Sequence, residues 1–439
     1  MVEARDVHEL IGRHLVADGF EFVLDIGESR GSWLVDARDG TRYLDMFGFF
    51  ASSPLGFNHP GFDAPDFLDE LVRVARTKPS NGDVYTVELA SFVETFERVV
   101  GDPALPRLFL IDGGALAVEN ALKAAFDWKQ QRNEAAGRSG ELGTQVLHLT
   151  RAFHGRTGYT MSLTNTEPVK IARFPKFDWP RISTPGMRFP VDDHLDEIAA
   201  AEDRAIEEAE AAFRQRAHDI ACFIAEPILA EGGDIHLRAG FLQRMQALCH
   251  EHEALFVVDE VQTGGGAAGT PWCYQQLGIE PDIVAFGKKL QTCGIMAGRR
   301  LEEVETHVFR VPSRIDSTWG GNLTDMVRAR RMLEIVEEEG LIARAATVGE
   351  HLLTLLGDVE SAHPERASNV RGRGLLAAFD LPSREERDEV IRRLRQEERV
   401  VLLPCGERSI RFRPNLAVEE DELAQACEAI TGVLKRMEN

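Results

Sequence analysis

Apolar positions along the chain fall into two rhythms. Short runs in which nearly every residue is apolar stand at 107–111 (RLFLI), 145–150 (QVLHLT), 220–225 (IACFIA), 254–258 (ALFVV) and 282–286 (DIVAF). Between them apolar residues recur at helical spacing, as in Val118, Leu122 and Phe126. Strand-like runs alternating with helical stretches predict an α/β fold, a parallel sheet covered by helices.

The pattern changes at both ends of that core. Residues 21–46 alternate apolar and polar positions in SWLVDARDGTRYLDMF, with Asp39-Gly40 as a hairpin turn, which predicts a small β-rich entry segment. From about residue 63 helical spacing takes over. Beyond Gly320 and Gly321 one long helical pattern, DMVRARRMLEIVEEEGLIARAATVGEHLLTLL, precedes the strand-like GLLAAFDL, a charged helix and VVLLP. The expected organisation is an N-terminal β-rich segment at 1–60 joining a small domain, a large domain at 61–324, and a C-terminal small α/β domain at 325–439.

At 439 residues the chain exceeds the size at which one core stops growing, so at least two domains are expected. With 44% hydrophobic and 28% charged residues, it has the balance of a folded globular protein. Fifty Lys and Arg against 72 Asp and Glu give a net charge of −22, which repels nucleic-acid phosphates and anionic membranes. The six cysteines form no CxxC pair, so no disulfide framework is expected and a reducing compartment fits. The N-terminal MVEARDVHELIGRHL lacks the apolar core of a signal peptide, and no run approaches the roughly 18 apolar residues of a membrane span. These features predict a cytoplasmic protein without nucleic-acid or membrane partners.

Three strand ends carry residues with chemistry. In IDGGALAVENALKAAF a strand ends at Gly113 and Gly114 and a helix begins at once; close backbone approach and free N–H groups at the helix start suit an anion, though a plain strand-to-helix turn has the same look. In ALFVVDEVQTGGG a strand ends at Asp259 and Glu260, the end where open α/β sheets bind ligands. A carboxylate beside a pyridine nitrogen keeps it protonated, and a pyridinium is an electron sink. In PDIVAFGKKLQTCG a strand runs into Lys288, 29 residues after Asp259, where partial desolvation leaves an amine free to form a Schiff base. The run Gly264 to Gly269 satisfies GxGxxG, yet five residues separate it from the strand and no long helix follows, so the dinucleotide fingerprint fails on context. His250 and His252 lie two apart, which is not the spacing of paired helical metal ligands.

Taken in order, the glycine turn, the strand-end aspartate and the GK lysine resemble the class III aminotransferases of fold type I. The likeness continues through TRAFHGRTGYTMSLTN, FIAEPILAEGG, FGKKLQTCGIMAGRR, STWGGNLTDMVRARRML and IRFRPNL, so it spans nearly the whole chain. It implies pyridoxal 5'-phosphate as cofactor, a large domain on a mainly parallel sheet of the seven-stranded type plus a smaller α/β domain, and a homodimer with shared active sites. By the same resemblance Lys288 carries the cofactor as a Schiff base and shuttles the proton, and Asp259 pairs with the pyridinium nitrogen. Gly114 and Ala115 hold the phosphate by backbone N–H groups, Phe153 stacks on the ring, Gln262 lies near the phenolic oxygen and the substrate, and Glu226 orients that network. Thr318 in STWGG matches a residue that reaches a phosphate across the subunit interface.

Within the class the chain is most similar to the L-lysine 6-aminotransferases. That likeness implies ping-pong transfer of the terminal amino group of L-lysine to 2-oxoglutarate, giving glutamate and 2-aminoadipate 6-semialdehyde, with ornithine or 4-aminobutyrate as alternative donors. Arg411 in IRFRP matches the arginine for the α-carboxylate of glutamate and 2-oxoglutarate, and Arg156 matches a second carboxylate arginine; both suit bidentate pairing. Glu231 resembles a gate that pairs with Arg411 when lysine is the donor. Three features depart from the family pattern and bear on donor preference: the Leu229-Ala230 pair, Asp316 and Gly265. Without the likeness, Phe153 reads as a core aromatic, His154 as a satisfied loop histidine and Arg156 as half of a surface ion pair.

Overall fold

The computed structural model describes residues 2–438. The entry segment folds as two short antiparallel strands, β1 (Trp33–Val35) and β2 (Arg42–Asp45), around the loop that holds Asp39 and Gly40. Two helices follow, α1 (Pro65–Thr77) and α2 (Val87–Val99). Thr86 caps the second, its hydroxyl accepting the Leu89 N–H at 3.1 Å, which satisfies one of the donors a helix start leaves free.

The next stretch builds the main sheet. Its elements are β3 (Arg107–Leu110), α3 (Gly114–Ala135), β4 (Gln145–Leu149), β5 (Arg181–Ile182), α4 (Leu195–Gln215) and β6 (Ile220–Ala225). A hairpin of β7 (Ile228–Leu229) and β8 (Ile235–His236) leads to α5 (Ala239–Glu251), β9 (Leu255–Asp259), β10 (Ile283–Phe286) and β11 (Gly294–Ala297). Seven strands pair in the order β3-β11-β10-β9-β6-β4-β5. All pairings are parallel except those of β11 with β10 and β3. Each run predicted as a strand becomes one. β6 and β9 are buried along their whole length, as strands covered on both faces must be. One cover is α3, whose Val118, Ala121, Leu122, Ala125 and Trp128 are fully buried at near-helical repeats. Burying five such side chains stabilises the layer by several kcal/mol, at about 25 cal/mol per Å² of apolar surface.

The C-terminal part holds α6 (Leu323–Glu338), α7 (Leu341–Ala362), β12 (Ser368–Arg373), β13 (Leu376–Asp380) and α8 (Arg384–Gln396). After these come β14 (Val400–Val401), β15 (Leu403–Cys405), β16 (Ser409–Phe412) and α9 (Glu420–Glu438). β12, β13, β16 and β15 form an antiparallel sheet, while β14 joins β2 in parallel, so chain ends far apart in sequence share a three-stranded sheet. The long helical pattern is two helices rather than one. Gly340 at φ 63° breaks it, since a left-handed residue ends the hydrogen-bond ladder. The glycine run 264–269 forms turns that let α7 come close: a Cβ at Gly269 would lie 2.8 Å from that of Ala346, and one at Gly266 2.8 Å from Ile342. Gly266 and Gly269 therefore serve helix packing.

Candidate active site

Parallel strands deliver their carboxyl ends to one edge of a sheet. Glu226 follows β6, Asp259 ends β9 and Lys288 follows β10, and these three strands are adjacent. Residues 29 to 62 positions apart in sequence thus meet. With Gly114, Ala115, Phe153, His154, Arg156 and Gln262 they line a cavity of about 380 Å³.

Asp259 is buried, with Oδ2 2.7 Å from His154 Nδ1 and Oδ1 accepting the Val261 N–H at 3.0 Å. His154 Nε2 is buried without a partner. The histidine is therefore held through Asp259 and is not the satisfied loop residue that the bare sequence suggests. Glu260 turns away from the cavity, because successive strand side chains point to opposite faces. It accepts the Tyr274 N–H at 2.7 Å, and burial raises its carboxyl to about 7.

Lys288 sits at φ 43°. Burial pulls its amine down to about 8, Arg411 adds to the shift, and Glu226, Asp259 and Glu231 oppose it. A neutral amine is the nucleophilic form. Burial likewise raises the Glu226 carboxyl to about 7, although it accepts the Phe153 N–H at 3.0 Å and the Ala230 N–H at 3.2 Å. These bonds tie the Phe153 loop to the strand edge.

At the other end of the cavity α3 starts at Gly114 with no side-chain cap, after Gly113 at φ 100°. Its first N–H groups and positive dipole end are available to an anion. Gly155, at φ 117°, keeps the loop against this helix start: a Cβ there would lie 2.5 Å from the Ala115 Cβ. The cavity thus joins an anion site, a buried acid, a half-buried aromatic and an amine of lowered basicity. A phosphorylated pyridine aldehyde needs these four features, and the residues fit pyridoxal phosphate.

The substrate side is built on two elements. Glu231 sits in the β7–β8 turn, while Arg411 and Arg413, two residues apart on and just after β16, share a face. Arg411 Nη2 donates to Glu231 Oε2 at 2.8 Å. Arg413 is locked by Asp234, both about 1% exposed. Gln262 Oε1 accepts from Arg413 Nε at 3.1 Å and lies 3.4 Å from Arg411 Nη1. Of the two arginines, Arg411 is the one with an exchangeable partner, since a buried pair such as Arg413–Asp234 is costly to break. Burial alone would raise Glu231, but Arg411 and Lys170 outweigh it and hold the carboxyl down at about 2.

Arg156 is exposed at the cavity rim. Thr318 is exposed and does not line the cavity of its own chain. The pattern of residues along the chain assigned nothing to Asp234, Arg413 or Lys170; RxR in IRFRP was the available signal for Arg413, because alternate strand residues share a face.

The aminotransferase class-III family model matches residues 16–434. The chain is 57% identical to the L-lysine-epsilon aminotransferase of Amycolatopsis lactamdurans, covering 98% of this chain and 96% of that protein. It is also 57% identical to the L-lysine-epsilon aminotransferase of Mycobacterium tuberculosis, over 98% of this chain and 95% of the relative. The lysine aminotransferase of M. tuberculosis, solved in the internal aldimine form, superposes with a TM-score of 0.97 at 56% identity, covering 99% of this chain and 100% of that one. That agreement over 99% of this chain carries the fold-type I architecture over to it, and the chain belongs to the class-III aminotransferases.

Proposed function

We propose that this enzyme moves the terminal amino group of L-lysine to 2-oxoglutarate with pyridoxal phosphate as cofactor, giving glutamate and 2-aminoadipate 6-semialdehyde. The full-length likeness to lysine ε-aminotransferases carries the reading, and the Glu231–Arg411 pair supports it. When bound, the cofactor supplies an electrophilic carbon for amines and a protonated ring that takes up the electron pair of a broken C–H bond. Lys288 holds it, and its Nζ removes the proton from carbon 6 of lysine. Asp259, braced by His154, keeps the ring nitrogen protonated. Gly114 and Ala115 bind the phosphate through backbone N–H groups, Phe153 covers the ring face, and Gln262 with Glu226 orients the ring edge.

Glu231 covers Arg411 while lysine is bound, so the terminal amine rather than the α-amine reaches the reacting carbon. Glutamate and 2-oxoglutarate displace Glu231 and pair with Arg411, and Arg156 takes their second carboxylate. Thr318, exposed here, completes the phosphate site of a partner subunit in a homodimer. A cytoplasmic location suits the six cysteines, which form no disulfide among the described residues; no helix among those residues is long and apolar enough to cross a membrane.

The test is a visible absorbance spectrum of the purified protein. A yellow band that bleaches with L-lysine and returns with 2-oxoglutarate is expected. Bleaching by ornithine or 4-aminobutyrate, with lysine inert, would move the assignment to another ω-amino donor.

A further inference from the structure

Glu231 has two cationic partners, one on each carboxylate oxygen. Arg411 takes Oε2, and Lys170, at the end of the short turn Pro168–Lys170, takes Oε1. Lys170 Nζ also lies 3.3 Å from Glu167 and 5.3 Å from the centre of the Phe153 ring. Both pairs are shielded: the side-chain exposures are 17% for Lys170, 26% for Glu231 and 3% for Arg411.

We propose that Lys170 is a positioning residue for amino-acceptor binding: it retains the Glu231 carboxylate when Arg411 is surrendered to the α-carboxylate of a dicarboxylate substrate. This rests on the gate reading of Glu231 given above. With Arg411 as sole partner, an opening gate would strand a partly buried carboxylate, and breaking one side of a shielded pair costs more than the pair contributes. Lys170 removes that penalty. Its ammonium is a compact charge with three donors on a flexible stem, able to follow a swinging carboxylate, whereas the planar guanidinium of Arg411 stays aimed at the substrate. Glu167 balances Lys170 while the gate is closed. Contact with the Phe153 ring ties the turn to the cavity wall, so the released Glu231 has a defined place to go. Lysine binding leaves the gate closed and makes no such demand.

The experiment uses the holoenzyme and its Lys170→Ala and Lys170→Arg variants. Steady-state kinetics are read for each substrate, and binding of glutarate, an unreactive dicarboxylate, is measured by calorimetry. In Lys170→Ala the KM for 2-oxoglutarate and the Kd for glutarate should rise about fivefold to tenfold, while the KM for lysine moves less than about twofold. Lys170→Arg should recover most of the loss. In a Glu231→Ala background Lys170→Ala should add nothing, because no carboxylate remains to be held. An equal change for lysine and dicarboxylates, or a penalty that persists without Glu231, would overturn the inference and leave the gate standing. If Glu231→Ala alone altered neither the choice of lysine amine nor the KM for 2-oxoglutarate, the gate itself would fall and take Lys170 with it.

Discussion

Lys288 and Lys289 are sequence neighbours with different environments. Lys289 is about 2% exposed and donates to the carbonyls of Ser53 at 3.2 Å and Pro414 at 3.1 Å, so its N–H groups tie the entry segment to the residues just after β16, while burial pulls its amine down to about 7. Lys288 faces the cavity, and burial has brought its amine to about 8. In the cofactor-free protein the rate of recombination with pyridoxal phosphate should climb about tenfold per pH unit below 8 and level off above it, as the neutral amine becomes the main form. Stopped-flow absorbance checks this; a rise that continued unbroken to pH 10 would contradict the lowered basicity. Lys288→Ala should form no covalent band and lose at least about a thousandfold in turnover.

The segment 48–51 is a left-handed turn. Gly48, Phe49, Phe50 and Ala51 take φ values of 52°, 51°, 60° and 69°. Three of these carry a Cβ, and each costs about 1–2 kcal/mol in this region. Asp45 Oδ1 holds the turn by accepting the N–H groups of Phe47 at 2.9 Å and Gly48 at 2.8 Å. A Cβ at Gly48 would fall 2.0 Å from the Arg413 carbonyl oxygen, so the turn and the arginine-bearing strand are seated against each other. Gly48→Ala should therefore cost about 2 kcal/mol or more. Urea denaturation would show it as a lower midpoint, and an unchanged midpoint would mean that the turn is not under this constraint.

Beyond the single chain, Val84, Tyr85, Val87 and Trp319 are 47–81% exposed. The Asn81 side chain donates to the Gly321 carbonyl at 3.3 Å and Lys78 lies 4.9 Å from the Trp319 ring, so the stretch that precedes Val84 packs against the loop that carries Thr318 and Trp319. Large exposed apolar side chains following and within these packed segments suit a subunit contact. If Thr318 acts across that contact, a mixed dimer of Lys288→Ala and Thr318→Ala chains contains one site with both residues intact. Such dimers should show about half the activity per dimer of the unaltered enzyme, with an ordinary KM. Activity no higher than that of Thr318→Ala alone would place Thr318 in its own chain's chemistry or outside it.

Much of this molecule is written locally. Apolar runs at 107–111, 145–150, 220–225, 254–258 and 282–286 became strands of the main sheet, because a strand buried on both faces needs apolar residues at every position. Glycines, a strand-end acid and GK marked the cavity for the same reason, since tight turns and strand ends have short-range signatures. What depended on distant neighbours was not legible. The pattern at 325–356 concealed a break at Gly340, because one glycine inside a strong apolar rhythm ends a helix only where packing rewards it. The pairing of His154 with Asp259, the locking of Arg413 by Asp234 and the grip of Lys170 on Glu231 join residues 61 to 179 positions apart. Composition and periodicity determine which elements form; strand order and the docking of β16 on the β7–β8 turn decided which charges meet, because charge partners are selected by distance in space.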